Sequence, residues 1–242
     1  MNDSLKGKII LVTGGAAGIG RATAALCAQR GGVVTIADLN EDAGAAAAQE
    51  LGVDFRQVDV TDEASVRALC SSLQDQYGRL DVLIHAAGVL LGSYTPLAEF
   101  ELATWRKVLD VNLTGTFLCA KHTAPLMQKA GGGVMVLVSS GAAVGGSSSF
   151  AYGSSKGGVN ALALTLRRNL ESEGVRVNVV MPGDIDTGMK RSVLDAAARK
   201  RGVDMETLLA QSDLGDPAGV ARVLAWLASD DADYVRGVLR TR

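Results

Sequence analysis

Tyr152 and Lys156 stand four positions apart in a stretch with helical patterning, which puts both side chains on one helix face. A free phenol has a pKa of about 10, too high for a base near neutrality, and a neighbouring ammonium favours phenolate. Such a pair supplies a proton acceptor or donor tuned toward working pH. By itself the spacing is ordinary, and a surface pair would show it equally. The surroundings change its meaning. Ser139 and Ser140 close a β-branched run just upstream and lead into the small-residue stretch 141–149, where a hydroxyl can hydrogen-bond a substrate oxygen. Asn112, in Asp110-Val111-Asn112-Leu113, falls inside a long helical pattern. An amide in mid-helix is mildly unfavourable unless it has a task. It either satisfies a neighbouring backbone group or holds a water in line with Lys156, and the water is the preferred reading.

A second constellation opens the chain. The apolar run Ile9–Val12 leads into Thr13-Gly14-Gly15-Ala16-Ala17-Gly18-Ile19-Gly20 and then a helical pattern. Glycines allow close backbone approach there, and the unpaired N–H groups of a helix start favour an anion. Asp38 ends the second strand-like run, eighteen positions after Gly20. A carboxylate in that place accepts both hydroxyls of an adenosine ribose and repels a 2′-phosphate. Strand, glycine turn, helix, strand and acid in that order read as a dinucleotide site. NAD is favoured over NADP, because no Arg or Lys occupies positions 15–17. The plainer alternatives are a structural turn and, for Asp38, a cap on the helix beginning near Glu41. Asp59-Val60 follow the third run, where a loop reaches the adenine. The alternative for that pair is an N-cap for the helix near Glu63.

These residues need a scaffold, and the patterning supplies one. Strands are expected at Ile9–Thr13, Val33–Ala37, Asp54–Val58, Val82–Ala86, Val134–Ser139, Arg176–Met181 and, weakly, near Val238. Helices are expected at Ile19–Arg30, Glu41–Leu51, Glu63–Tyr77, Leu102–Lys129, Tyr152–Glu173 and Pro217–Ser229. Alternating elements with nearly continuous apolar strands imply a parallel sheet covered on both faces. The 242 residues, 48% hydrophobic with only four prolines, suit one continuous core. Residues 186–212 stand apart, with Lys190, Arg191, Arg199, Lys200 and Arg201. They form either a solvated helical excursion or, as preferred, a mobile lid. A net charge of -2 offers no pull on nucleic acid or anionic lipid. Cys27, Cys70 and Cys119 lack metal spacing and read as reduced core thiols, which fits the cytoplasm. The polar start, Met1–Lys8, precedes an apolar run far shorter than the ~18 residues that span a bilayer, and no signal segment is expected.

Taken together, the motifs resemble the short-chain dehydrogenase/reductase family across essentially the whole length. They are Thr13–Gly20, Asp38, Asp59-Val60, Val111-Asn112, Ser139-Ser140, Tyr152-x-x-x-Lys156, Arg176-Val177-Asn178, and Pro182-Gly183 followed by Thr187. The resemblance implies a single-domain Rossmann fold, a doubly wound parallel sheet of about seven strands. It implies hydride transfer between NAD and a secondary alcohol or ketone, with a tetrad of Asn112, Ser140, Tyr152 and Lys156. It places the cofactor against Gly14, Ala17, Gly18, Ile19, Gly20, Asp38, Leu39, Asp59, Val60, Ala86, Ala87, Gly88, Pro182 and Gly183. Lys156 would also hold the nicotinamide ribose, and Ile185 and Thr187 the carboxamide. No metal is implied. A catalytically weak, NAD-binding regulatory member is the alternative.

Three departures from the family pattern stand out. His85-Ala86-Ala87-Gly88 replaces the usual Asn-Asn-Ala-Gly or Asn-Ala-Gly, so the asparagine contacts that stitch this turn are missing. His85 is expected to be packed or backbone-bonded rather than catalytic. The Ser–Tyr loop is about one residue short, which leaves Ser139 as a rival to Ser140. The last strand runs into Leu239-Arg240-Thr241-Arg242 instead of Asp-Gly-Gly. Leu90, Leu91, Tyr94, Val144, Phe150 and Met189 are candidate pocket walls for a mostly apolar substrate. A homo-oligomer is expected, a dimer through the two long helices and then a tetramer with a weakened second interface. Leu113, Phe117, Ala120, Ala124, Val159, Ala163 and Leu166 are its candidate contacts.

Overall fold

Runs such as IILVT and GVMVLV have no polar face, so they are stable only where a sheet is covered on both sides. The computed structural model describes residues 3–241; Arg242 lies outside them. Its strands are β1 (Ile9–Thr13), β2 (Val33–Asp38), β3 (Asp54–Gln57), β4 (Val82–His85), β5 (Gly133–Val138), β6 (Val175–Met181) and β7 (Val238–Arg240). All pair in parallel, in the order β3-β2-β1-β4-β5-β6-β7. This is a doubly wound Rossmann-type sheet. The order reverses between β1 and β4, and the crevice outside the carboxyl ends of these strands is where such sheets bind ligands.

Helices α1 (Gly18–Gln29), α2 (Glu41–Leu51) and α10 (Pro217–Ala228) cover one face through Ala24, Cys27, Ala47, Ala48, Val220 and Leu224. Helices α3 (Glu63–Tyr77), α5 (Gly115–Lys129) and α7 (Phe150–Leu170), the last preceded by the one-turn α6 (Ala142–Gly145), cover the other through Val66, Leu69, Leu118, Ala120, Val159 and Ala163. Small residues let these helices lie close to the strands. The three cysteines are free and buried, and burial pushes the thiols of Cys27 and Cys70 up to about 12 and that of Cys119 higher still.

Several expected boundaries shift, each for a local reason. The segment Leu102–Lys129 is not one regular helix. It runs as α4 (Leu102–Leu109), a wide π turn over Asp110–Thr114, and α5. From the first turn of α5, Thr116 donates its hydroxyl to the Asn112 carbonyl in this widened turn at 2.6 Å. Helix α7 begins two residues before Tyr152, because the Ser149 side chain accepts from the Tyr152 N–H and caps it. Residues 186–212 fold as α8 (Gly188–Arg201) and α9 (Met205–Ala210), capped by Thr187 and Asp204. Of the expected dimer contacts, Ala120, Ala124, Val159 and Ala163 instead pack into this chain's own core, Leu113 and Leu166 lie partly buried against it, and Phe117 is 45% exposed; Leu164, not among those expected, is 48% exposed. A helix with two apolar faces does not say by periodicity which one meets the sheet. Among the described residues no helix is long and apolar enough to cross a membrane, and no cluster has the makings of a metal site.

Candidate active site

Gly14 has φ 67°, and a Cβ there would lie 2.7 Å from the Ala87 nitrogen. Only glycine lets the turn after β1 approach the turn after β4 this closely. Helix α1 then starts at Gly18 (φ 54°) with neither a side-chain cap from Ala17 nor an acid in its first turn. Its first N–H groups are thus left for an anion in the cleft. Asp38 accepts from the Ala16 N–H and from the Asn40 N–H, both at 3.1 Å, so its carboxylate ties the glycine turn to β2. Asn40, not Asp38, caps α2, and Asp62, not Asp59, caps α3. Asp59 accepts instead from the Thr61 N–H and hydroxyl.

One cleft of about 1570 Å³ is lined by Gly14, Ala17, Gly18, Ile19, Gly20, Asp38, Leu39, Asp59, Val60, Ala86, Ala87 and Gly88. The same cleft continues past Ser140, Tyr152, Lys156, Pro182, Gly183, Ile185 and Thr187. Its volume exceeds the range of roughly 300–1,000 Å³ usual for a single small ligand. A glycine cradle, open helix N–H donors and a carboxylate at the end of β2 form a donor set that fits a dinucleotide with a free ribose. Thr187 lies against Gly18, whose Cβ would be 3.3 Å from the Thr187 methyl, so the root of α8 packs on the glycine turn.

The His85 departure is repaired rather than left open. Its Nδ1 shares a hydrogen bond of 2.8 Å with the Thr13 hydroxyl, which also accepts from the Ala87 N–H at 3.4 Å. The two loops flanking the crevice are therefore stitched through Thr13. His85 is fully buried, and its Nε2 has no partner among the described residues. Burial, helped by the charge of Lys156, lowers its pKa to about 3, so the ring is neutral. The sequence reading anticipated a buried, non-catalytic ring but not its side-chain partner; Thr13 facing it across a parallel pair of strands was the missing signal.

Around Tyr152 the expected residues converge, with one exception in orientation. Tyr152 is 8% and Lys156 5% exposed. The Lys156 ammonium sits 5.8 Å from the Tyr152 ring centre and donates to the Val138 carbonyl at 2.8 Å. Burial lowers the Lys156 pKa to about 8. Burial raises that of Tyr152, and a hydrogen bond with Ser140 pulls the other way. The two serines separate cleanly. Ser140 meets the Tyr152 phenol, whereas the buried Ser139 donates to the Lys156 carbonyl at 2.9 Å. Asn112 takes the backbone-satisfying alternative. Its oxygen accepts from the Val89 N–H at 2.8 Å, and its nitrogen donates to the Val89 carbonyl and the Ser155 hydroxyl, both at 2.9 Å. With both amide hydrogens committed, the side chain is not placed as the water holder. Ser155 was missed by the sequence reading; it lies one turn from Tyr152 on the inner face of α7.

Beyond Tyr152 the cleft is bounded by Leu90, Tyr94, Met189 and Val193. Val144 and Phe150, expected as walls, face a separate shallow groove and solvent, and Phe150 packs edge-on against Phe100 with ring centres 5.5 Å apart. Leu91 is also outside the lining. Arg176 serves the scaffold, donating to the Leu227, Ser229 and Ala232 carbonyls at the end of α10.

The comparisons with known proteins bear on the family and the fold. A family model described as enoyl-(acyl carrier protein) reductase matches residues 14–239. The chain is 38% identical over 247 residues to cis-4-hydroxycyclohexanecarboxylate dehydrogenase from Sinomonas cyclohexanicum, covering 99% of this chain and 96% of that protein. It is 35% identical over 239 residues to D-threitol dehydrogenase from Mycolicibacterium smegmatis, covering 96% and 90%. The crystal structure of levodione reductase superposes with a TM-score of 0.91 at 28% identity, over 98% of this chain and 96% of that one. Fold, motifs and relatives together make this chain an oxidoreductase of the short-chain dehydrogenase/reductase family.

Proposed function

We propose that this protein is an NAD-dependent oxidoreductase interconverting a compact, mostly apolar secondary alcohol and its ketone. The observation that carries the reading is the meeting of Tyr152, Ser140 and Lys156 in the same cleft as the glycine turn and Asp38. When bound, the dinucleotide supplies the hydride acceptor or donor. Tyr152 takes the hydroxyl proton of the substrate in oxidation and returns one to the carbonyl oxygen in reduction. Ser140 hydrogen-bonds that oxygen, and the buried charge of Lys156 favours phenolate. Asn112 acts as a positioning residue, fixing the Val89 segment against α7 through Ser155. Ile185 and Thr187, with Pro182 and Gly183, close the nicotinamide end, and α8 and α9 serve as the lid over the substrate. A cyclic substrate is supported by relatives whose names specify a cyclohexane alcohol and levodione, and by the apolar side chains around Leu90, Met189 and Val193.

Incubating the protein with NAD and a panel of alicyclic, steroid, sugar and acyl alcohols, and following absorbance of the reduced cofactor, tests the activity. Reduction by at least one alicyclic alcohol is expected. Binding of NAD with turnover of none of the panel would favour the regulatory alternative. In coenzyme titrations NAD should bind more tightly than NADP, because the Asp38 carboxylate repels a 2′-phosphate; equal affinities would mean that Asp38 does not face the ribose. We also propose a dimer through the outer faces of α4–α5 and α7, where Phe117 and Leu164 are exposed, and a tetramer built from such dimers. Light scattering at micromolar and nanomolar concentrations should show a tetramer giving way to dimers, and a strict monomer would refute the interface.

A further inference from the structure

We propose that Tyr94 is the specificity-determining residue of this cleft: its ring sets the size of the substrate chamber and fixes it by anchoring α8 and α9. This rests on reading the site as an alcohol dehydrogenase or ketone reductase. Among the described residues Tyr94 is the one non-glycine with a positive φ, 63°. An aromatic residue in that region is strained, and such strain persists only where the surroundings over-determine it. Glycine would fit the backbone without cost, so the side chain has a use that offsets the strain.

The contacts show that use. At its backbone, the Tyr94 N–H donates to the Ser148 carbonyl at 2.7 Å. Beside it the Ser148 hydroxyl donates to that of Ser93 at 3.2 Å, and the Ser149 hydroxyl donates to the Leu91 carbonyl at 2.6 Å. Ser149 is also the cap of α7, the helix that carries Tyr152. At its side chain, Tyr94 packs on the cluster of Leu194, Ala197, Ala198 and Leu208, which joins α8 to α9. The Lys200 ammonium lies 5.5 Å from the ring centre, within cation–π range. Tyr94 thus ties the loop that caps the Tyr152 helix, through its backbone, to α8 and α9, through its ring, and it lines the cleft with Tyr152 and Met189. Its hydroxyl has no partner among the described residues, so the ring and not the oxygen is the determinant.

The test compares Tyr94→Gly and Tyr94→Phe with the parent protein in two measurements. The first is kcat/KM with NAD for cyclohexanol and for a bulkier bicyclic alcohol, decahydronaphthol. Tyr94→Gly should shift the bulky-to-small ratio upward by about tenfold or more, the scale of size discrimination in apolar pockets; Tyr94→Phe should keep the parent ratio. The second is hydrogen exchange of the α8 amides, which needs no turnover. Exchange should quicken about tenfold in Tyr94→Gly, less in Lys200→Met, and not at all in Tyr94→Phe. An unchanged ratio in an active Tyr94→Gly, a shifted ratio in Tyr94→Phe, or α8 exchange unaffected by Tyr94→Gly would each overturn the proposal. If the parent protein oxidises neither alcohol, the ratio is taken with a small and a bulky alcohol from the panel that it does oxidise; turnover of none of the panel sinks the alcohol reading, while the exchange data still decide the anchoring.

Discussion

Replacing Tyr152 by phenylalanine is expected to lower turnover by about 10²–10⁴-fold, the usual worth of a general acid–base group. Fold and NAD affinity should be preserved, because the ring packing with Val108 and Ala151 survives loss of the hydroxyl. The size of the effect follows from the phenol's position. It is buried, it meets Ser140, and it stands near an ammonium whose pKa burial has lowered to about 8. In the free protein burial holds the Tyr152 pKa above its ordinary value; the Lys156 charge opposes this, and an oxidised nicotinamide, when bound, would add a second positive charge in favour of phenolate. Steady-state kinetics with a saturating alcohol would measure the loss, and retention of more than about half the parent rate would remove Tyr152 from the chemistry. The companion pair sharpens the result. Ser140→Ala should also cost turnover, whereas Ser139→Ala loses a bond to the Lys156 carbonyl and should register mainly as reduced stability. The opposite ranking would show the serine register displaced by one.

The second large effect is expected in acid stability. His85 is held neutral in the folded protein, with its pKa lowered to about 3 from an ordinary 6.5. Above pH 6.5 both folded and unfolded chains carry a neutral ring and the group contributes no penalty. As pH falls from 6.5 toward 3, the unfolded chain takes up a proton that the folded chain refuses. Stability then falls by up to about 1.4 kcal/mol per pH unit from this one group, or roughly 2 kcal/mol by pH 5. For a domain of this size that corresponds to about 4–8 °C in Tm. His85→Asn, which restores the family's residue type at this turn, should therefore lose less Tm between pH 7 and pH 5 than the parent by that amount. Thermal melts at the two pH values measure the difference. Equal losses in both proteins would show that His85 is not the group coupling this fold to acid.

The division between sequence and structure runs along the range of the interactions. The strands, the glycine turn and Asp38 were readable because each depends on neighbours in the chain: apolar runs, a glycine-rich turn into a helix, an acid ending a run. The Tyr152–Lys156 pair was readable for the same reason, since a spacing of four sets one helix face. Where the reading stopped, partners distant in sequence took over. His85 finds Thr13 across 72 positions of chain, and Asn112 finds Val89 across 23 and Ser155 across 43. The π turn that carries Asn112 carries no local sequence mark; it was read as ordinary helix. Apolar periodicity showed that α5 and α7 were apolar but not that Ala120, Ala124, Val159 and Ala163 face the sheet. Tyr94 was legible as a pocket wall, but no neighbour in the chain marked its positive φ, which goes with a bond to the Ser148 carbonyl before α7 and packing on α8 and α9. The sequence by itself determined the sheet, the glycine turn that opens into α1, and the placing of Tyr152 and Lys156 on one helix face, since local pattern suffices for them. The tertiary structure alone decided how the loops are stitched, which serine meets the phenol, and that Val193 joins Leu90, Tyr94 and Met189 along the cleft while Leu91, Val144 and Phe150 do not, because each is a contact between segments that only folding brings together.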